Sequence, residues 1–275
     1  MDGKVFKAVI PVAGLGTRMG PLAGVLPKEM FPLGRKPMIQ LALEEAIGAG
    51  IREICVVIRE GKEIIRNYIL KGTQHGSENK WKRLLRSCRL TFVYQKSWDG
   101  LGGALMVARP FVGQDPFLMV LPDQLLCSAK GSASRQLLSQ YKFAFPAVLS
   151  SMVKVPKKEV EYFSSSIGFI IDSKKILPGH PVGISGVRSV TETHRFFAGL
   201  PYEIRGFART VFPPAIFAYL GRRFANPKTG EVDMWKTFRE FPKRLPHYGC
   251  LLTGHPCDLG TLPGYYRYLD LFLDI

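Results

Sequence analysis

Apolar positions along the chain follow two rhythms. Unbroken runs such as AVIPV (Ala8–Val12) and ICVVI (Ile54–Ile58) lack the polar alternation of a half-exposed strand, which marks strands buried on both faces. Between them, apolar residues recur at helical spacing, as in MIQLALEEAIGA (Met38–Ala49) and KEIIRNYIL (Lys62–Leu70). The pattern predicts strands near Phe6–Val12, Ile54–Ile58, Leu90–Tyr94, Phe117–Leu121 and Ala147–Val153. It predicts helices near Met38–Ala49, Lys62–Leu70, Gly103–Ala108 and Ser134–Tyr141. Strand–helix alternation implies an α/β fold with a doubly wound, mostly parallel, Rossmann-like sheet, in which ligands sit beyond the carboxyl ends of the strands.

The second half is less regular. Short apolar pieces at Ile167–Ile171, Ile204–Phe207 and Gly249–Thr253 lie among prolines and glycines and read as a smaller inserted subregion. No tandem repeat is present, so residues 1–275 are expected to form a single domain, divided functionally near residue 125.

Composition narrows the class. With 275 residues and 46% hydrophobic content the chain can bury a large core, and no apolar stretch is long enough to span a bilayer. MDGKVFK runs straight into the first strand without a signal-peptide pattern, so a cytoplasmic location is expected and no membrane partner. Five widely spaced cysteines outline neither a disulfide framework nor a Cys-x-x-Cys zinc site; Cys250, His255 and Cys257 are neighbours in sequence, but buried structural thiols are the preferred reading. The net charge of +16 admits either a field that gathers polyanionic substrates or a surface for nucleic acid. Basic clusters at Lys80–Arg89 and Lys154–Lys158 carry no nucleic-acid-binding signature and read as solvated faces, so no nucleic-acid partner is expected.

The densest chemistry lies in VIPVAGLGTRMGPLAGVLPKEMFPLGRKPMIQ, Val9–Gln40. Glycines 14 and 16 let the main chain turn sharply and approach an anion through its amides. Thr17 adds a hydroxyl, Arg18 a planar cationic fork, and Lys28 a mobile positive charge. The turn lacks the GK[ST] ending of a P-loop and the third glycine of a dinucleotide fingerprint, which argues against an ATPase or a dehydrogenase.

This segment resembles, nearly residue for residue, the signature AGLGTR…PKEM-P…KP-IQ of sugar-1-phosphate nucleotidyltransferases, above all the bacterial UTP–glucose-1-phosphate uridylyltransferases. The resemblance implies that Ala13, Gly14, Leu15, Gly16 and Thr17 cradle the nucleotide, with Arg18 and Lys28 on its phosphates. QKSWDGLGG (Gln95–Gly103) resembles the family's second glycine-rich turn, which assigns Gln95 and Gly100 to the uracil; the amide of Gln95 offers both a donor and an acceptor to an imide edge. Asp123 closes the strand FLMVLPD, and Asp258 sits in HPCDLGT, similar to the family's aspartate-glycine-threonine turn. The two carboxylates are the expected magnesium pair, since that ion takes hard oxygen ligands together with substrate phosphates and water. Asp258 also has a plainer reading as a cap for the closing helix.

On the sugar side the likeness is partial. Gly168, after Ser166 and Ile167, matches a glycine that approaches the hexose, and Glu192 in SVTETHRF matches a glutamate that accepts sugar hydroxyls. Thr193 stands where relatives have a lysine for the sugar phosphate, leaving Arg195 and Arg188 as substitutes. NPKTGEVDMW keeps only Gly230 and Glu231 of another family segment. The resemblance implies attack of the sugar phosphate on the α-phosphorus of a nucleoside triphosphate, UTP by default, with pyrophosphate leaving and glucose 1-phosphate as the default acceptor. Thymidine and an unusual sugar or cyclitol phosphate are the rival substrates, and the relatives' habit implies a homo-oligomer. A nucleotide or sugar-phosphate sensor on the same fold, and a basic nucleic-acid binder, are the two alternative classes.

Overall fold

The computed structural model describes residues 3–71, 78–163, 168–171, 179–220, 234, 237–238 and 245–273. Among them the strands are β1 (Lys7–Pro11), β2 (Pro32–Leu33), β3 (Lys36–Pro37), β4 (Glu53–Ile58), β5 (Arg89–Tyr94), β6 (Phe117–Val120) and β7 (Gln124–Cys127). They continue with β8 (Val148–Pro156), β9 (Gly168–Ile171), β10 (Pro181–Arg188), β11 (Tyr202–Phe212), β12 (His247–Leu251) and β13 (His255–Asp258). One sheet holds nine of these in the order β5-β4-β1-β6-β11-β8-β12-β10-β9. The first four are mutually parallel; β11 and β10 run against the other strands, and β12 returns parallel to β8.

Buried runs split between the two faces as the pleat requires. On one face Ala8, Ile10, Ile54, Val56 and Ile58 pack against Ile39, Leu43 and Ala46 of helix Met38–Gly48, Ile65 and Ile69 of helix Glu63–Lys71, and Leu137 and Tyr141 of helix Ala133–Ala144. On the other face Val9, Cys55, Val57, Phe117 and Met119 pack against Ala104 and Leu105 of helix Gly100–Val107. A third cluster at the end of the sheet joins Met19, Phe31, Leu33, Leu125 and Leu259 to Tyr265 and Tyr268 of helix Leu262–Tyr268.

The second half is not a separate insertion. Its strands continue the same sheet, and β11 extends far beyond the expected piece at Ile204–Phe207. Charged residues hid it: Glu203, Arg205 and Arg209 break the apolar run yet are fully or almost fully buried. Each is paired inside, Arg205 to Glu203 at 2.7 Å and Arg209 to Glu45 at 2.8 Å, which meets the requirement that a buried charge have a partner. The basic cluster Lys80–Arg89 likewise contributes a helix, Glu78–Arg86, which buries Trp81 while Lys82, Arg83 and Arg86 face solvent. Among the described residues no helix is long and apolar enough to cross a membrane.

Candidate active site

The glycine-rich turn leaves β1 at the carboxyl end of the sheet. Val12 prolongs the ladder through its N–H to Val57 O at 2.8 Å, and the chain then departs. Gly16 has φ +71°, the left-handed region that a Cβ disfavours, while a Cβ on Gly14 would meet nothing within 4 Å. The chain turns through Thr17–Met19 and, beyond Pro27, through a second single turn, Lys28–Met30, which presents Lys28.

A buried lysine joins these two segments. Lys62 donates to Val12 O at 2.7 Å and to Glu29 Oε2 at 2.8 Å, so the neighbours of the glycine turn and of Lys28 share one anchor. Burial lowers the Lys62 pKa, and the attraction of Glu29 does not fully compensate. Neither Glu29 nor Lys62 has an assigned role in the sequence motifs; a lysine after Gly61 shows its purpose only once the strands are side by side.

Lys28 Nζ lies 2.5 Å from Asp123 Oδ2. Burial opposes the charge on Lys28, but Asp123 and Glu29 outweigh it and raise its pKa. Burial likewise opposes the carboxylate of Asp123, and Lys28 with Arg18 hold its pKa below the ordinary value. Both groups are therefore charged at neutral pH.

Gln95 follows β5. Its side-chain amide donates to Asp99 Oδ1 at 2.5 Å and to Gly100 O at 2.9 Å, and Gly100 has φ +71°. The Asp99 carboxylate in turn occupies the space over Gly103, where an added Cβ would lie 2.0 Å from Oδ1. The nucleotide-side candidates Ala13, Gly14, Leu15, Gly16, Thr17, Arg18, Lys28, Gln95, Gly100 and Asp123 all line one cleft of about 1190 Å³. Arg59, just past β4, Tyr94, the last residue of β5, and Trp98, inside the QKSWDGLGG turn but matching none of its motif positions, line it too.

Asp258 sits differently. It is fully buried, its Oδ2 accepts from Gln124 at 2.7 Å and its Oδ1 from the Gly260 N–H at 2.9 Å, and only Gly260 of its turn lines the cleft. The Leu259 N–H to Asp123 O bond, 2.7 Å, holds the two aspartate segments side by side. The helix cap is supplied not by Asp258 but by Thr261, whose hydroxyl accepts from the Gly264 N–H. Among the described residues no three His, Cys, Asp or Glu side chains are placed so that they could hold a metal ion, and Cys257 Sγ lies 3.9 Å from Cys127 Sγ.

The sugar-side candidates are elsewhere. Gly168, Glu192 and Arg195 are not among the residues lining the cleft. Glu192 closes a capping box with Ser189 at the start of helix Val190–Phe196, accepting from the Ser189 N–H at 2.7 Å, and Arg195 is exposed on that helix. Thr193 is buried, and a Cβ on Gly168 would lie 2.0 Å from its Oγ1, so Gly168 makes room for the threonine. Arg188 donates to Phe169 O and stacks its guanidinium 3.8 Å from the ring centre of Phe196. The expected turn at Ser166 and Ile167, and Gly230 and Glu231, lie outside the described residues.

The family described as nucleotidyl transferase matches residues 7–163. The UTP–glucose-1-phosphate uridylyltransferase of Bacillus subtilis (strain 168) is 32% identical over 278 residues, covering 95% of this chain and 89% of that protein. The enzyme of the same name from Streptococcus pyogenes is 37% identical over 277 residues, covering 96% and 87%. A crystal structure of UDP-glucose pyrophosphorylase complexed with UDP-glucose matches with a TM-score of 0.81 at 24% identity over 98% of both chains, a likeness of fold.

Proposed function

The chain belongs to the nucleotidyl transferase family, and from that premise we propose that it transfers a uridylyl group from UTP to a hexose 1-phosphate, glucose 1-phosphate by default. The observation that carries this reading is the convergence of the glycine turn, Arg18, Lys28 and Asp123 on one cleft. An oxygen of the sugar phosphate attacks the α-phosphorus in line, the bond to the bridging oxygen breaks, and pyrophosphate leaves. No protein nucleophile is required. The turn amides and Arg18 hold the triphosphate, and Lys28, charged through its pairing with Asp123, stabilises the charge that develops around the α-phosphoryl group.

Asp123 offers a hard carboxylate on the cleft wall, and the buried Asp258 lies in the adjoining segment, tied to it by the Leu259 N–H to Asp123 O bond. The Asp123 carboxylate fits magnesium, which would take its remaining ligands from substrate phosphates and water and neutralise phosphate charge there, with Asp258 supporting that segment from behind. Purified protein, magnesium, UTP and glucose 1-phosphate should release pyrophosphate, and chelation should abolish the release. Failure with every nucleoside triphosphate and sugar 1-phosphate tried would sink the proposal.

One observation favours a second reading, a nucleotide sensor without turnover: among the described residues Thr193 is buried, and Glu192 and Arg195 do not line the cleft, so none of these three sugar-side positions brings a cation to it. Nucleotide binding with no pyrophosphate release across a broad acceptor panel would support it.

A further inference from the structure

Trp98 keeps 63% of its surface exposed although it lines the cleft, and it is three residues past Gln95 and two before Gly100. A large flat apolar surface left open on a cleft wall gains when another flat ring covers it and removes it from water. The guanidinium of Arg59 lies 4.7 Å from the centre of the indole, fixing the ring from one side. Arg59 Nε is buried without a hydrogen-bond partner among the described residues, and the side chain lines the same cleft. A flat π surface braced by a cation, with an unused donor beside it, is complementary to a heteroaromatic ring bearing carbonyl oxygens.

We infer that Trp98, braced by Arg59, forms a stacking platform for the face of the nucleobase, an affinity element separate from the edge-reading pair Gln95 and Gly100. This rests on the nucleotidyltransferase reading of the cleft. The two elements differ in what they discriminate. Every base has a π face, so the platform binds bases with little selectivity, whereas the Gln95 amide distinguishes their hydrogen-bonding edges. Trp98→Ala therefore weakens all nucleotides about equally, and Gln95→Leu alters their ranking.

The test measures Kd for UTP, TTP and CTP by calorimetry, and the quenching of tryptophan fluorescence by UTP, in the wild type, Trp98→Ala and Trp98→Phe. The platform predicts about a tenfold rise in Kd for each nucleotide in Trp98→Ala, recovery of most of that loss in Trp98→Phe, and disappearance of the fluorescence response in both. In turnover the loss falls on KM for UTP more than on kcat. Unchanged Kd in Trp98→Ala, or a fluorescence response that persists in Trp98→Phe, would overturn the platform while leaving the nucleotidyltransferase reading intact. A wild type that binds none of the nucleotides would overturn both.

Discussion

The two halves of the nine-stranded sheet bring their polar residues to different places. From β5 to β6, four parallel strands release their chains at one edge, and the segments that follow β1, β5 and β6 carry Gly14, Arg18, Gln95 and Asp123 onto a shared cleft. In the other half the candidates lie on the edge strand β9 and on the short helix Val190–Phe196, which contributes a capped terminus and exposed side chains. Residues that leave the ends of adjacent parallel strands are delivered together by the backbone itself. A residue on a surface helix has no such constraint, and its motif can survive as a fold element after its ligand contacts have gone. On the proposed function, the nucleotide half is the one whose candidates share a cleft, and the acceptor half the one whose candidates, among the described residues, do not join it.

The contact that binds the halves together gives the largest expected effect. Arg209 of β11 holds Glu45 of the helix after β3 at 2.8 Å and donates to Leu121 O and Gln124 O, on either side of Asp123. Arg209→Leu leaves Glu45 buried without its cation and should cost about 3–5 kcal/mol in urea unfolding. Burial works against ionised Glu45, but Arg209 with Ser134 holds its pKa below the ordinary value. A depressed folded pKa gives stability that is present above the unfolded value of 4.5 and lost as pH falls through the folded value. The urea midpoint should therefore drop on acidification below about pH 4.5 in the wild type and drop less in Glu45→Gln. Equal acid sensitivity in the two proteins would remove Glu45 from this role.

Lys28→Ala comes next and probes the nucleotide half alone. The loss of a charged donor at the reacting phosphates should lower kcat about 100- to 1000-fold, with Kd for UTP changing far less. Wild-type turnover in this variant would end the catalytic assignment. In the other half, Gly168→Ala forces a methyl group against Thr193, whose Oγ1 is held by Ser189 O at 2.8 Å. Overpacking of this kind costs about 1–3 kcal/mol. Adding Thr193→Ala should recover part of it, and no recovery in the double variant would show that Gly168 is confined by something other than Thr193.

How much of this was legible before the structure follows the same division. The early strands were readable because continuous apolar runs such as Ile54–Ile58 need no partner to be recognised, and the family resemblance supplied the cleft residues by name. β11 was largely hidden because Glu203, Arg205 and Arg209 look like solvent-facing residues until their partners, one of them the distant Glu45, are in place. β7 and β13, four residues each, pair with one another in a separate ladder, and pieces that short carry no periodicity. The Lys62 anchor was invisible for a related reason: its partners Val12 and Glu29 come from two loops whose proximity depends on the finished sheet.

The smallest effect bears most directly on the contrast between the halves. Glu192 accepts from the Ser189 N–H, and Ser189 Oγ accepts from the Glu192 N–H, so the pair completes a capping box at a surface helix. If that is the whole of its role, Glu192→Ala costs about 0.5–1 kcal/mol of stability and leaves KM for glucose 1-phosphate within about twofold. Ser189→Ala breaks the same box from the other side and should act alike. A glutamate that accepts sugar hydroxyls would behave otherwise: its removal leaves those hydroxyls unpaired in the complex and should raise KM tenfold or more, while Ser189→Ala would not. The two variants read together separate a cap from a ligand, and a large KM effect confined to Glu192→Ala would bring helix Val190–Phe196, and with it the acceptor half, into the site.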